Sequence, residues 1–163
     1  MKTLLVVFHS LTGGTQAMAE AAARGASGEP DVAVRLVRSG DARVDDVLAA
    51  DGYIFATPEN LASMAGRMKD FFDRTYYPVL DRVNGRPYAV LVCAGSDGTN
   101  AARQLARIVT GWRLRAIAEP VIVRVGAQTP EAILAPKQID RVAISRCFDL
   151  GAAMAAGLAV GIF

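Results

Sequence analysis

The stretch that decides the fold is Leu4-Leu5-Val6-Val7-Phe8-His9-Ser10-Leu11-Thr12-Gly13-Gly14-Thr15. Its first five residues are an unbroken apolar run rich in Val and Leu. Such a run suits a strand buried on both faces, as in a parallel sheet. The rest is dominated by Ser, Thr and Gly and reads as a turn. An alanine-rich helix candidate follows over residues 16–25.

The same alternation continues along the chain. Residues 32–37 alternate apolar and polar, the mark of a half-buried outer strand. A short helix is expected over 44–49. Residues 53–56 form a third strand that stops at Thr57-Pro58. Leu61, Met64, Met68, Phe71 or Phe72, and Thr75 recur at helical spacing and define a third helix. Residues 88–93 make a fourth strand, ending at Ala94-Gly95-Ser96-Asp97-Gly98. A fourth helix over 101–114 and a fifth strand over 120–125 follow. A last helix begins between Ala135 and Ile139 and runs toward the C-terminus. Strands alternating with helices predict an α/β three-layer sandwich with right-handed crossovers. Five strands, the second weak and half-polar, suit the flavodoxin-like parallel order 2-1-3-4-5 in one domain spanning 1–163. Ligands in such sheets sit beyond the carboxyl ends of the strands, where the order reverses. Three segments would meet there: 9–15, 57–63 and 94–99. All are rich in Gly, Ser, Thr, Asn or Pro.

The first segment lies between a strand and a helix. A helix N-terminus offers unpaired N–H groups and partial positive charge, which favour an anion. Ser10, Thr12 and Thr15 add hydroxyl donors, and Gly13 and Gly14 let the backbone close around the anion. No Lys and no G-K-[ST] is present, so this is not a nucleoside-triphosphate loop; G-x-G-x-x-G is absent too. Neutral donors suit a phosphate monoester such as that of FMN. The competing reading is an ordinary strand-to-helix turn with a Thr cap.

The second segment, Ala56-Thr57-Pro58-Glu59-Asn60-Leu61-Ala62-Ser63-Met64, runs on into Gly66-Arg67-Met68-Lys69-Asp70-Phe71-Phe72-Asp73-Arg74. Together with Ser10 to Thr15, it resembles the flavodoxin-like quinone reductases of the tryptophan-repressor-binding-protein type and the NADPH-dependent FMN reductases. Matched residues cover about the first half of the chain. The resemblance implies a non-covalently bound FMN with NADPH or NADH as electron donor. Ser10, Thr12, Gly13, Gly14 and Thr15 would hold the phosphate. Thr57, Pro58, Glu59, Asn60 and Leu61 would run along the isoalloxazine edge and cover one face. Ala94, Gly95, Ser96, Asp97 and Gly98 would lie near the other edge, with N–H groups placed to stabilise charge on the reduced ring. It also implies a small-molecule electron acceptor, such as a quinone or free flavin, and a homodimer or homotetramer. One departure separates the chain from electron-carrier flavodoxins: no Tyr or Trp lies in 57–63 or 94–99 to stack on the ring, which leaves a face open for hydride exchange.

Composition narrows the remaining classes. The chain is 52% hydrophobic and 21% charged with a net charge of +2, which is globular and mixed in sign rather than a nucleic-acid surface. The two cysteines, Cys93 and Cys147, form no C-x-x-C or Cys/His cluster, so no metal is expected. The N-terminal apolar run reads as a strand rather than a leader, and residues 151–163 are too short to span a bilayer. A cytoplasmic protein without membrane insertion is the expectation. His9, the single histidine, and Tyr76-Tyr77-Pro78 are read as a turn residue and an interface segment. No catalytic side chain is named, since a flavin carries its own chemistry. Two functions stay open: an NAD(P)H-dependent reductase, and a flavodoxin-like electron-transfer or ligand-binding protein.

Overall fold

A strand buried on both faces needs hydrogen-bond partners on both edges, and β1 (Lys2–Phe8) has them. It lies between β2 (Val32–Arg38) and β3 (Gly52–Asn60), parallel to both, in a computed structural model that describes Met1 to Phe163. Leu4, Val6 and Phe8 face one helical layer, while Leu5 and Val7 face the other. β5 (Pro87–Ala94) adds to the far edge of β3, also parallel. Beyond it lies an outer strand in two pieces, β6 (Arg115–Ala116) and β7 (Val121–Arg124). The interruption ends at Pro120, which has no N–H to give to β5. With the two pieces counted as one, the five parallel strands follow the expected order.

Helices α1 (Gly14–Ala26) and α6 (Arg141–Val160) cover one face of the sheet. Helices α2 (Val44–Ala49), α3 (Gly66–Val79) and α4 (Thr99–Gly111) cover the other. Under them, Phe71, Phe72 and Trp112 pack tilted or edge-to-face at centroid separations of 5.1–6.5 Å. A short helix α5 (Pro130–Leu134) precedes α6.

Several boundaries differ from the sequence reading. β3 does not stop at Thr57-Pro58 but continues to Asn60, pairing Thr57 with Val92 and Pro58 with Cys93. Pro58 is tolerated because its edge faces the β1 side, where β1 has already ended opposite Ala56. The chain then turns back as β4 (Ser63–Met64), antiparallel to Glu59 and Asn60. Leu61 and Met64 therefore belong to this hairpin, and α3 starts only at Gly66. Tyr76, Tyr77 and Pro78 lie in the last turn of α3 rather than after it. The last helix starts at Arg141, capped by the Asp140 carboxylate on the Ala143 N–H at 2.8 Å. With that start α6 is, by length and composition, long enough to cross a bilayer, unlike residues 151–163 alone. Here it packs on α1 and the sheet through Cys147, Gly151, Met154, Ala155 and Leu158.

The α1–α6 contact is backbone on backbone. A Cβ on Gly151 would strike the Ala22 carbonyl, and one on Gly25 would strike the Phe148 carbonyl. Neither helix backbone can yield without lifting α6 from the sheet. Gly151→Val is expected to destabilise the fold by about 1–3 kcal/mol or more, since overpacking costs that much where nothing can shift. Urea midpoints at an unchanged slope would show it; a variant as stable as the parent would mean that the helices slide freely.

Candidate functional site

Three chain segments end together at the carboxyl edge of the sheet, and a cavity of about 370 Å3 opens between them. From the first come Ser10, Leu11, Thr12, Gly14 and Thr15; from the second Pro58, Glu59, Asn60, Leu61 and Ala62; from the third Cys93, Ala94, Gly95 and Ser96. The volume suits a small-molecule ligand. Of the expected site residues, Gly13, Thr57, Asp97 and Gly98 do not line it.

The first segment has the build of an anion cradle. Gly13 caps α1 with φ +93°, a conformation open to glycine at little strain. Its N–H donates to Ser10 Oγ at 3.1 Å, which closes the loop on itself. No side-chain oxygen caps α1. Thr15 is 2% exposed, and its Oγ1 has no hydrogen-bond partner at all. A buried hydroxyl without a partner costs free energy, so Thr15 Oγ1 stands ready to take one at the N-terminus of α1.

The second segment is a rigid hairpin rather than a loop. Its turn residues Leu61 and Ala62 have φ of +50° and +61°. Two-residue hairpins of this kind usually use Asn-Gly, because left-handed backbone costs other residues about 1–2 kcal/mol each. Helix α4 holds the strained turn in place. Gln104 Oε1 accepts from Ser63 Oγ at 2.8 Å and from the Met64 N–H at 3.0 Å. Asn100 Nδ2 donates to the Ala62 carbonyl at 2.6 Å. Buried Thr57 Oγ1 donates to the Pro58 carbonyl at 2.9 Å and accepts the Ala65 N–H at 3.1 Å, so it closes the hairpin from beneath. The result is a fully exposed Leu61 side chain standing over the cavity mouth.

Glu59 reaches in the opposite direction. Its carboxylate accepts the N–H groups of Gly98 at 2.8 Å and Ala101 at 3.2 Å, capping α4. The Gly98 N–H is therefore engaged within the protein rather than turned to the cavity. Asp97 accepts from Thr99 Oγ1 at 2.8 Å and lies 4.0 Å from Arg124, at the surface.

The fourth wall comes from a segment that sequence reasoning missed. Val125, Ala127, Ile133 and Lys137 line the cavity from the connection between β7 and α6. Gly126, Thr129-Pro130 and Pro136 mark a connection, but only backbone pairing places it here: the Val125 N–H donates to the Ala94 carbonyl at 2.9 Å, the Gly126 N–H to the Gly95 carbonyl at 2.8 Å and the Lys137 N–H to the Thr12 carbonyl at 2.8 Å. No aromatic residue lines the cavity. Tyr76 and Tyr77 instead border a separate groove of about 470 Å3 between α3 and α4.

Burial lowers the His9 pKa, and Arg67 and then Arg38 push it further down. The Arg38 guanidinium lies 5.1 Å over the Phe8 ring and donates to Gln16 Oε1 at 2.9 Å. Burial raises the Cys93 thiol despite the nearby Lys137, and lifts Cys147 to about 11, so both are unreactive thiols at neutral pH. For His9, the unfolded chain binds the proton more tightly than the folded one. Its contribution is therefore present above about pH 6.5 and is lost as pH falls through the folded pKa. Stability should fall on acidification below that pH, and His9→Asn should flatten the decline. Denaturation midpoints across pH 5 to 7.5 in parent and variant would measure it; parallel curves would refute it.

Comparison with known proteins agrees with this architecture. A solved flavodoxin from the domain Archaea superposes with a TM-score of 0.77 at 20% identity, covering 96% of this chain and 98% of that one. A flavodoxin of Aquifex aeolicus is 34% identical over 97 residues, 60% of this chain and 50% of its own length. An NAD(P)H dehydrogenase (quinone) of Acidithiobacillus ferrooxidans is 34% identical over 95 residues, 46% of this chain and 48% of its own. The chain thus spans about half the length of these two curated relatives. The family model for NADPH-dependent FMN reductase matches residues 41–128, which include the hairpin, α3, β5 and α4. On that match the chain belongs to the NADPH-dependent FMN reductase family, an FMN-binding family of flavodoxin-like fold.

Proposed function

We propose that the cavity holds FMN with its phosphate on the Ser10 to Thr15 loop, and that the protein is an NAD(P)H-dependent oxidoreductase acting on quinones, free flavin or similar small acceptors. The observation that carries this reading is the orphaned Thr15 hydroxyl, buried at the open N-terminus of α1. A phosphate monoester supplies the acceptor that this hydroxyl lacks and the negative charge that the helix terminus favours.

The residues present fit the group. Ser10, Thr12 and Thr15 offer hydroxyls, and the first turn of α1 offers N–H groups. Pro58 to Ala62 and Ala94 to Ser96 form two walls about a ring-sized space. FMN, when bound, supplies the capacity to accept and pass on a hydride. The protein positions it: the clamped hairpin presents fixed backbone on one side, and the walls carry no aromatic to cover the other. That open side is where a nicotinamide and then an acceptor would alternate. Preorganised backbone of this kind reduces the ordering cost of binding.

The purified protein should show flavin absorbance bands, or quench FMN fluorescence on titration. The FMN-loaded form should oxidise NADH or NADPH with a quinone. Tight FMN binding without nucleotide oxidation would favour an electron-transfer role over a reductase. No binding even at high FMN would remove the central claim. Thr15→Val separates stability from binding. Replacing an unpaired buried hydroxyl with a methyl should leave the unliganded protein as stable, or more stable by about 1 kcal/mol, while weakening FMN roughly tenfold. Thermal midpoints and titration on the same samples would read both.

A further inference from the structure

The phosphate loop contains no cation, yet the fold brings the backbone and stem of a lysine against it. The segment joining β7 to α6 crosses the N-terminus of α1, where the Lys137 N–H is bonded to the Thr12 carbonyl at 2.8 Å. A Cβ built on Gly14 would lie 3.1 Å from Lys137 Cβ, so the lysine stem starts directly against the first residue of α1. Lys137 and Glu59 are the two charged residues that line the cavity. The Glu59 carboxylate is engaged by the Gly98 and Ala101 N–H groups. Lys137 is therefore the one positively charged side chain in the lining, opposite in sign to the Glu59 carboxylate that caps α4.

Its ammonium is held in place without being neutralised. Nζ donates to the carbonyls of Ala132 at 2.7 Å, Ile133 at 2.8 Å and Ala135 at 2.6 Å, at the C-terminal end of α5. No carboxylate pairs with it among the ion pairs of the protein. Carbonyls at a helix end stabilise a cation while leaving its net charge intact.

We propose that Lys137 is the electrostatic partner of the phosphate group on the Ser10 to Thr15 loop, and that it makes the site select FMN over riboflavin. This rests on the FMN reading of the cavity. A dianionic phosphate cradled by neutral donors gains from a positive charge fixed close by, and most in a partly desolvated cavity. The carbonyl cage positions the ammonium before the ligand arrives, so little side-chain freedom is lost on binding. Riboflavin has the same ring without the phosphate, so it gains nothing from this charge.

The test compares FMN and riboflavin affinities by fluorescence titration in the parent protein, Lys137→Gln and Lys137→Arg, at low and high salt. In Lys137→Gln, FMN affinity is expected to fall roughly tenfold at low salt and riboflavin affinity to change less than twofold. The parent's preference for FMN should also shrink with added salt more than the variant's does. Lys137→Arg should keep most of the preference. Circular dichroism melts guard against a loosened fold. If Lys137→Gln binds FMN as the parent does, or loses FMN and riboflavin equally, the proposal is overturned and Lys137 is only a clasp for the segment. If the parent binds riboflavin as tightly as FMN, the phosphate loop itself has been misread. If it binds neither, the cavity is not a flavin site.

Discussion

A β-strand with both faces covered and both edges paired has only its ends left, and β1 is such a strand. β2 and β3 flank it, and apolar side chains from Leu4 to Val7 fill both layers. The chain leaves β1 into α1 on one face of the sheet and later leaves β3 into α3 on the other. These departures in opposite directions open a crevice at the carboxyl edge that no side chain of the sheet can fill. The helices, the strained hairpin and the cavity walls all follow from that divergence.

The crevice is lined almost entirely by neutral groups. Glu59 is turned away to cap α4, and the hydroxyls of Ser10, Thr12 and Thr15 stand at the start of α1. Hydrogen-bond donors without formal charge hold an anion where it can still be exchanged. The single cationic side chain in the lining, Lys137, comes from a segment remote in sequence, pinned across the loop by a backbone hydrogen bond. On the proposed reading, specificity for a phosphate would draw on the loop for shape and on a distant residue for charge.

The Leu61-Ala62 turn shows strain kept where a ligand would lie. Two residues in left-handed conformation persist because Asn100 and Gln104, one turn apart on α4, hold the backbone from the far side. Glu59 returns the tie by capping α4. Hairpin and helix therefore form one unit, and the hairpin tip keeps its shape without a ligand.

Much of this was legible in the sequence. The apolar run from Leu4 to Phe8 and the Ser/Thr/Gly turn after it fixed a parallel α/β sheet and pointed to an anion site, because burial on both faces and helix-start chemistry leave direct marks in residue type. The strand order also followed from strand count and the half-polar second strand. The hairpin did not show. Leu61 and Met64 fall at helical spacing with Met68 and Phe71, and local periodicity cannot reveal that Pro58 faces an edge where β1 has ended. The start of α6 and the place of Lys137 in the cavity wall were hidden for the same reason. A lysine between short loop segments carries no signal until a hydrogen bond to Thr12, distant in the chain, places it. Residue type determined the sheet and the cradle; only the tertiary pairing of remote segments decided what closes over the cradle and with what charge.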